Sequence, residues 1–287
     1  MDAFAASRKV APMADGDLKH AYNRDGYVVA RNLLAPSVVE GVLSECRDVL
    51  RLQAERHGIP GASEDGPAFD AALTGLFRKS IGSYLAAAKL TQYLPSLHRL
   101  GADEPVLGLL RTLGIERPVI STRPVVHIVS DDLKVPGGYH RTPPHQDWQS
   151  VQGSLDGVVV WLPLVPVEAR NNGLEVVPGS HRLGLLSTEP HPFGTTVVDS
   201  RIAEDAYVPL GAEPGDAIAF SMFLVHRTGS ATRPGVRWAT SFRYNNLDEP
   251  SFIARDFPNP YIYRSRGELL VDGFPTVEEV SRVFRDE

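Results

Sequence analysis

Apolar residues keep two different periods along the chain, and the change falls near Arg117. Before it they recur at helical spacing. Val39, Val42, Leu43, Cys46, Val49, Leu50 and Leu52 follow Ser37 and Glu40, which have the spacing of a capping box, and the run stops at His57-Gly58. Further helices are predicted over 17–23, over 69–90 behind a turn-rich loop, and over 105–113, with a short β-rich run at 26–30. After Arg117, β-branched runs at 125–129, 158–164, 174–177, 217–225 and 236–244 alternate with Gly/Pro turns. Helices first and short antiparallel strands later predict an α+β, mainly β architecture, with helices packed on a sandwich or jelly roll.

Composition narrows the functional classes. The net charge of −6, from 29 basic and 35 acidic residues, argues against a general nucleic-acid binder, which needs a basic face. The longest apolar run, 157–167, carries two prolines and falls short of the ~20 residues of a membrane span. The first 20 residues lack the apolar core of a secretion signal. A single cysteine, Cys46, allows no internal disulfide. The expectation is a soluble, cytoplasmic protein with no membrane partner.

The chemistry gathers around His145-Gln146-Asp147. In an extended strand, residues i and i+2 share a face, so an imidazole and a carboxylate would converge. A distant histidine would complete the two-His-one-carboxylate set that holds non-haem Fe(II) with open positions. The turn Glu213-Pro214-Gly215-Asp216 feeds a strand expected to run to Val225 and deliver His226 at its far end. A second turn, Arg233-Pro234-Gly235, starts a strand on which Arg237, Ala239, Ser241, Arg243 and Asn245 share one face. Two arginines among small residues suit a pocket for an anion, because a guanidinium grips a carboxylate bidentately. Of the other histidines, His20, His57 and His98 read as surface residues, His140 and His191 as exposed loop residues, and His181 as a turn stabiliser.

These pieces, taken in order, resemble the phytanoyl-CoA dioxygenase family of Fe(II)/2-oxoglutarate oxygenases. The matching segments are Asp25-Gly26-Tyr27-Val28-Val29, His145-Gln146-Asp147, the run from Asn172 to His181, Pro214-Gly215-Asp216, His226-Arg227-Thr228 and Arg237. The resemblance implies a double-stranded β-helix, with His145, Asp147 and His226 as the ligands of Fe(II). It implies that Arg237 and Thr228 hold the distal carboxylate of 2-oxoglutarate and that Trp161 lines that pocket. His127 or Ser130, on the loosely matching run 124–130, would also touch it, and Arg243 is the reserve for Arg237. O2 would be the oxidant, a small-molecule metabolite the substrate, and succinate and CO2 the by-products. Halogenating relatives carry a small residue in place of the carboxylate, so Asp147 favours hydroxylation.

The expected organisation is one domain over 1–287: a polar tail at 1–16, a mostly helical part at 17–116, the jelly roll at 117–247 and a C-terminal segment at 248–287. Substrate would be read by 61–90, 131–142, 183–201 and 248–266, the last carrying Phe252, Arg255, Phe257, Tyr261, Tyr263, Arg264 and Arg266. Two other readings stay open: a jelly-roll metalloenzyme that does not use 2-oxoglutarate, and a non-catalytic jelly-roll binding module.

Overall fold

A computed structural model describes residues 15–135, 141–192, 194–263, 269 and 271–284. Helix α1 (Asp15–Asp25) leads into strand β1 (Tyr27–Ala30), and five helices follow: α2 (Pro36–Arg56), α3 (Pro67–Lys79), α4 (Ile81–Leu90), α5 (Pro95–Gly101) and α6 (Glu104–Thr112). The strands are β2 (Pro118–Ile120), β3 (Val125–Val129), β4 (Val158–Pro163), β5 (Leu174–Val176), β6 (Thr188–His191), β7 (Gly194–Val197), β8 (Val208–Leu210), β9 (Ala217–Ser221), β10 (His226–Thr228) and β11 (Arg237–Asn246). Between β3 and β4 lies the one-turn helix α7 (Trp148–Val151). After β11 come α8 (Pro250–Ala254), α9 (Pro260–Tyr263) and α10 (Val277–Val283).

All the strand pairs are antiparallel. The large sheet runs β1-β9-β4-β11-β2, with β3 on the other half of the same edge of β11. The small sheet runs β10-β5-β8, and β6-β7 form a separate hairpin. Residues of both sheets line one cavity, so the sheets face each other across it. This is the jelly roll, and its core explains the composition of its strands. Every residue of β4, Val-Val-Val-Trp-Leu-Pro, is buried, as is every residue of β9. A strand covered on both faces reads as continuous apolar sequence rather than alternation. The edge strand β1 comes from the helical part of the chain and pairs with β9, tying the two parts together.

Several helix boundaries differ from the sequence expectation. Helix α2 has no capping box: Ala35 is the N-cap without a side-chain bond, and Pro36 takes the first turn. Proline fits there because its missing N–H has no partner to lose. Leu52 lies on the solvent face, 64% exposed. The stretch 69–90 is two helices, broken at Ser80, whose hydroxyl accepts the Ser83 N–H and caps α4. The expected strand 217–225 stops at Ser221, and the chain turns before β10 begins at His226 in the other sheet.

Helix α5 meets the large sheet at Gly101, where the Tyr244 hydroxyl donates to the Gly101 carbonyl at 2.5 Å. A methyl group there would stand 2.6 Å from Cε1 of Phe242. Gly101→Ala should therefore destabilise the protein by about 1–3 kcal/mol through overpacking, outweighing the alanine helix preference of about 1 kcal/mol. The expected result is a lower urea midpoint with an unchanged m-value; an unchanged midpoint would show that the ring yields freely.

Candidate metal centre

His145 does not sit in a regular strand. It forms an isolated antiparallel bridge with His226, its N–H donating to the His226 carbonyl at 3.0 Å and the reverse bond measuring 3.1 Å. Asp147 has helical dihedrals and is the N-cap of α7. The convergence of His145 and Asp147 thus comes from a chain that leaves the small sheet and turns into a helix, not from strand pleat. Gln146 points elsewhere and is buried. Its amide nitrogen donates to the Gly184 and Phe223 carbonyls at 2.9 and 2.7 Å, and its oxygen accepts the Leu186 N–H at 2.9 Å. The middle residue of the triplet therefore ties two loops to the backbone that carries the outer two.

Ligand atoms of His145, Asp147 and His226 all lie within 4.8 Å of one another. In each imidazole Nδ1 faces a backbone carbonyl, Pro143 at 2.8 Å for His145 and Leu224 at 2.9 Å for His226. A carbonyl only accepts, so Nδ1 carries a proton and Nε2 is the nitrogen left to bind a metal. Burial, and next the neighbouring His145, push the His226 pKa down to about 3, so its ring is neutral at working pH. Burial opposes the charge of Asp147, but Arg243 and the two histidines overcome it and hold the carboxyl well below its usual range. Two imidazoles and one carboxylate are the donor set a divalent iron takes. The residues fit the group.

Arg243 was expected only as a reserve anchor for a co-substrate. Its Nη2 instead lies 3.2 and 3.1 Å from the two oxygens of Asp147, and its Nη1 donates to the Ser241 hydroxyl at 3.2 Å. The pair is nearly buried on both sides. The alternation of β11 put Arg243 on the cavity face, but its partner depends on how two distant segments dock.

Arg237, Thr228, Trp161 and His127 line the same cavity, which has a volume of about 400 Å³. Arg237 is buried, its guanidinium carbon 5.8 Å from the Trp161 ring centre. Thr228 lies two residues beyond His226 in β10. His127 meets the Ser241 hydroxyl at 2.9 Å; burial, then Arg237 and Arg243, push its pKa well below the ordinary value and keep it neutral. Ser130 does not line the cavity; its hydroxyl accepts the Asp132 N–H and caps a turn.

Of the segments expected to meet substrate, Thr142 and Tyr261 line the cavity, whereas no described residue of 61–90 or 183–201 does. Arg255 is turned away, donating to the Gln152 and Gly153 carbonyls, and Phe252 packs on Phe257. His140, Arg264, Arg266 and the side chain of Tyr263 lie outside the described residues. A larger cleft of about 830 Å³ lies among α1, β1 and α6, but it contains none of the three ligands. His57 and His191 are half-buried rather than exposed.

His181 is fully buried, with Nε2 3.0 Å from the Asn23 carbonyl and its ring edge-on to Phe284. Burial lowers its pKa to about 4 from 6.5. Between those values the unfolded chain takes up a proton that the folded chain refuses, so stability falls as pH drops through that window. His226 acts in the same direction. The apoprotein should lose urea resistance from pH 6.5 towards 4, and His181→Gln should flatten that slope. An equal slope in the variant would remove His181 from the account.

The family model described as phytanoyl-CoA dioxygenase matches residues 22–239. No curated protein matches the chain. Among solved structures, the fold is similar to the epimerase SnoN in complex with Fe3+, alpha ketoglutarate and nogalamycin RO, at 22% identity and a TM-score of 0.56 over 81% of this chain and 83% of that one. It is also similar to the non-heme monooxygenase ThoJ, at 19% identity and a TM-score of 0.57 over 80% and 77%. A third is EctD from S. alaskensis with bound Fe, at 17% identity and a TM-score of 0.51 over 86% and 81%. Among the described residues, no helix is long and apolar enough to cross a membrane.

Proposed function

The chain belongs to the phytanoyl-CoA dioxygenase family, and from that premise we propose that it is an Fe(II)- and 2-oxoglutarate-dependent oxygenase that hydroxylates a small molecule. One observation carries the reading. Two carbonyl-fixed imidazoles and a guanidinium-held carboxylate converge in a cavity that also holds a buried arginine. His145, Asp147 and His226 would hold the metal. Arg237 would pair with the distal carboxylate of 2-oxoglutarate, assisted by Thr228, with Trp161 as the wall between. His127, held neutral beside Arg237, adds a polar contact without a competing charge.

Bound Fe(II) supplies the oxygen-activating redox chemistry, driven by oxidative decarboxylation of 2-oxoglutarate to succinate and CO2. The chain supplies geometry. The carbonyls of Pro143 and Leu224 set the tautomers, and Arg243 orients the Asp147 carboxylate. The apolar walls Val159, Leu174 and Phe220 limit water beside the metal face. Asp147 occupies the position that a halide would need, which supports oxygen transfer. The same reading sets the protein in the cytoplasm with a small-molecule substrate.

The test is anaerobic mixing of the purified protein with Fe(II) and 2-oxoglutarate. A visible charge-transfer band is expected, followed by substrate-stimulated succinate formation in a metabolite screen. Bound Fe(II) without that band would favour a jelly-roll metalloenzyme that does not use 2-oxoglutarate. Similarity to an epimerase makes product mass a second readout: gain of one oxygen supports hydroxylation, and an isomer of unchanged mass supports stereoinversion.

A further inference from the structure

Among the described residues, four arginines line the metal cavity, Arg123, Arg227, Arg237 and Arg243, against one carboxylate, Asp147. Their charges are not equally available. Arg227 is consumed by Glu175 at 2.7 Å and by Glu204 at 2.6 and 2.9 Å. Arg243 is paired with Asp147. Arg237 is assigned to the co-substrate. Arg123 remains at the mouth. It lies over the Tyr93 ring, 5.9 Å from the guanidinium carbon, and no carboxylate pairs with it among the described residues. A cation–π contact uses the face of a guanidinium and leaves its N–H edge for an anion.

The balance with both partners bound strengthens the point. Fe(II) and the 2-oxoglutarate dianion cancel, Asp147 cancels Arg243, and the three histidines of the cavity are neutral or metal-bound. Arg123 then adds a positive charge at the solvent-exposed mouth that no carboxylate among the described residues offsets, and that charge draws an anion arriving from solvent. Tyr261 of α9 also lines the mouth and is 47% exposed, so its hydroxyl can reach a ligand there. The other polar groups near Arg123, Gln92 and Thr122, are neutral.

We propose that the substrate carries an anionic group, a carboxylate or a phosphate, that Arg123 seats at the cavity mouth with help from Tyr261. This assigns Arg123 as a specificity residue and rests on the oxygenase reading above. It also sets the polarity of binding: the charged end stays at the mouth and the bond to be oxidised lies inward, towards His145 and His226.

The test uses the anaerobic protein loaded with Fe(II) and saturating 2-oxoglutarate, so that Arg237 is already occupied. Phenylacetate, phenyl phosphate and the neutral phenylacetamide are titrated by calorimetry. An anion is expected to bind about tenfold more tightly than the amide, the margin of one charge-assisted hydrogen bond. Arg123→Gln should erase the preference, and Arg123→Lys should retain much of it. The charge-transfer band, recorded in each sample, reports the loaded site independently. A band with equal binding of anion and amide, with no anion binding, or with the preference intact in Arg123→Gln, overturns this inference alone. Absence of the band overturns the oxygenase reading and this inference with it. Which anion binds better decides between carboxylate and phosphate.

Discussion

Asp147→Ala should abolish 2-oxoglutarate turnover and the anaerobic charge-transfer band together. Asp147 is the single anionic donor of the centre, and the other two donors are imidazoles. Fe(II) affinity should fall by more than the roughly 10–100-fold that loss of a mere supporting partner of a metal ligand costs. A second effect follows from Arg243. Its side chain is only 11% exposed and faces both oxygens of Asp147, so alanine leaves a nearly buried cation without its counter-charge. The apoprotein should therefore also lose stability, a loss that Asp147→Asn, which keeps the shape and a hydrogen-bond acceptor, should reduce. Circular dichroism at a temperature below both midpoints separates the two losses. Fe(II) binding and turnover that survive in folded Asp147→Ala would end the metal assignment.

The double role of Asp147, ligand and ion-pair partner, marks the limit of what the sequence could reveal. Histidine and aspartate two residues apart, a later histidine and an arginine beyond it form a local pattern, and its chemistry is readable from residue types alone. The ion pair with Arg243 is not local. It depends on β11 lying beside the segment that runs from His145 into α7, across 96 residues of chain. Gln146 was silent for the same reason, since its three partners are backbone groups of distant loops. The core strands β4 and β11 were visible because burial on both faces, or strict alternation, leaves a mark on composition. The end of β9 was hidden because the turn after it is itself buried: Met222, Phe223, Leu224 and Val225 are fully enclosed, and the turn is held by the Ser221 hydroxyl and carbonyl. An apolar turn has no Gly/Pro signature. Its consequence is functional, since it transfers His226 from the large sheet to the small one and lets it bridge to His145.

Arg237→Ala should leave Fe(II) binding intact and raise the KM for 2-oxoglutarate by about 10–150-fold, the worth of hydrogen bonds from a charged donor at a nearly buried site. The geometry gives three reasons for choosing Arg237 over the other cavity arginines. It is 6% exposed, so its pairing with a carboxylate is weakly screened. It lies over Trp161, which restricts the guanidinium before the ligand arrives. It opens β11, opposite Val129 of β3, so its backbone is fixed by the sheet. Arg237→Lys should recover only part of the loss, because an ammonium lacks the planar fork. Thr228→Val should cost less, about fivefold, since one hydroxyl contributes a single neutral donor. Arg243 is the discriminating control. Its guanidinium is committed to Asp147, so Arg243→Gln should weaken Fe(II) binding first and 2-oxoglutarate binding only through the metal. An unchanged 2-oxoglutarate KM in Arg237→Ala, with the increase appearing in Arg243→Gln at saturating Fe(II), would move the anchor to Arg243. The ion pair with Asp147 would then be broken whenever the co-substrate binds.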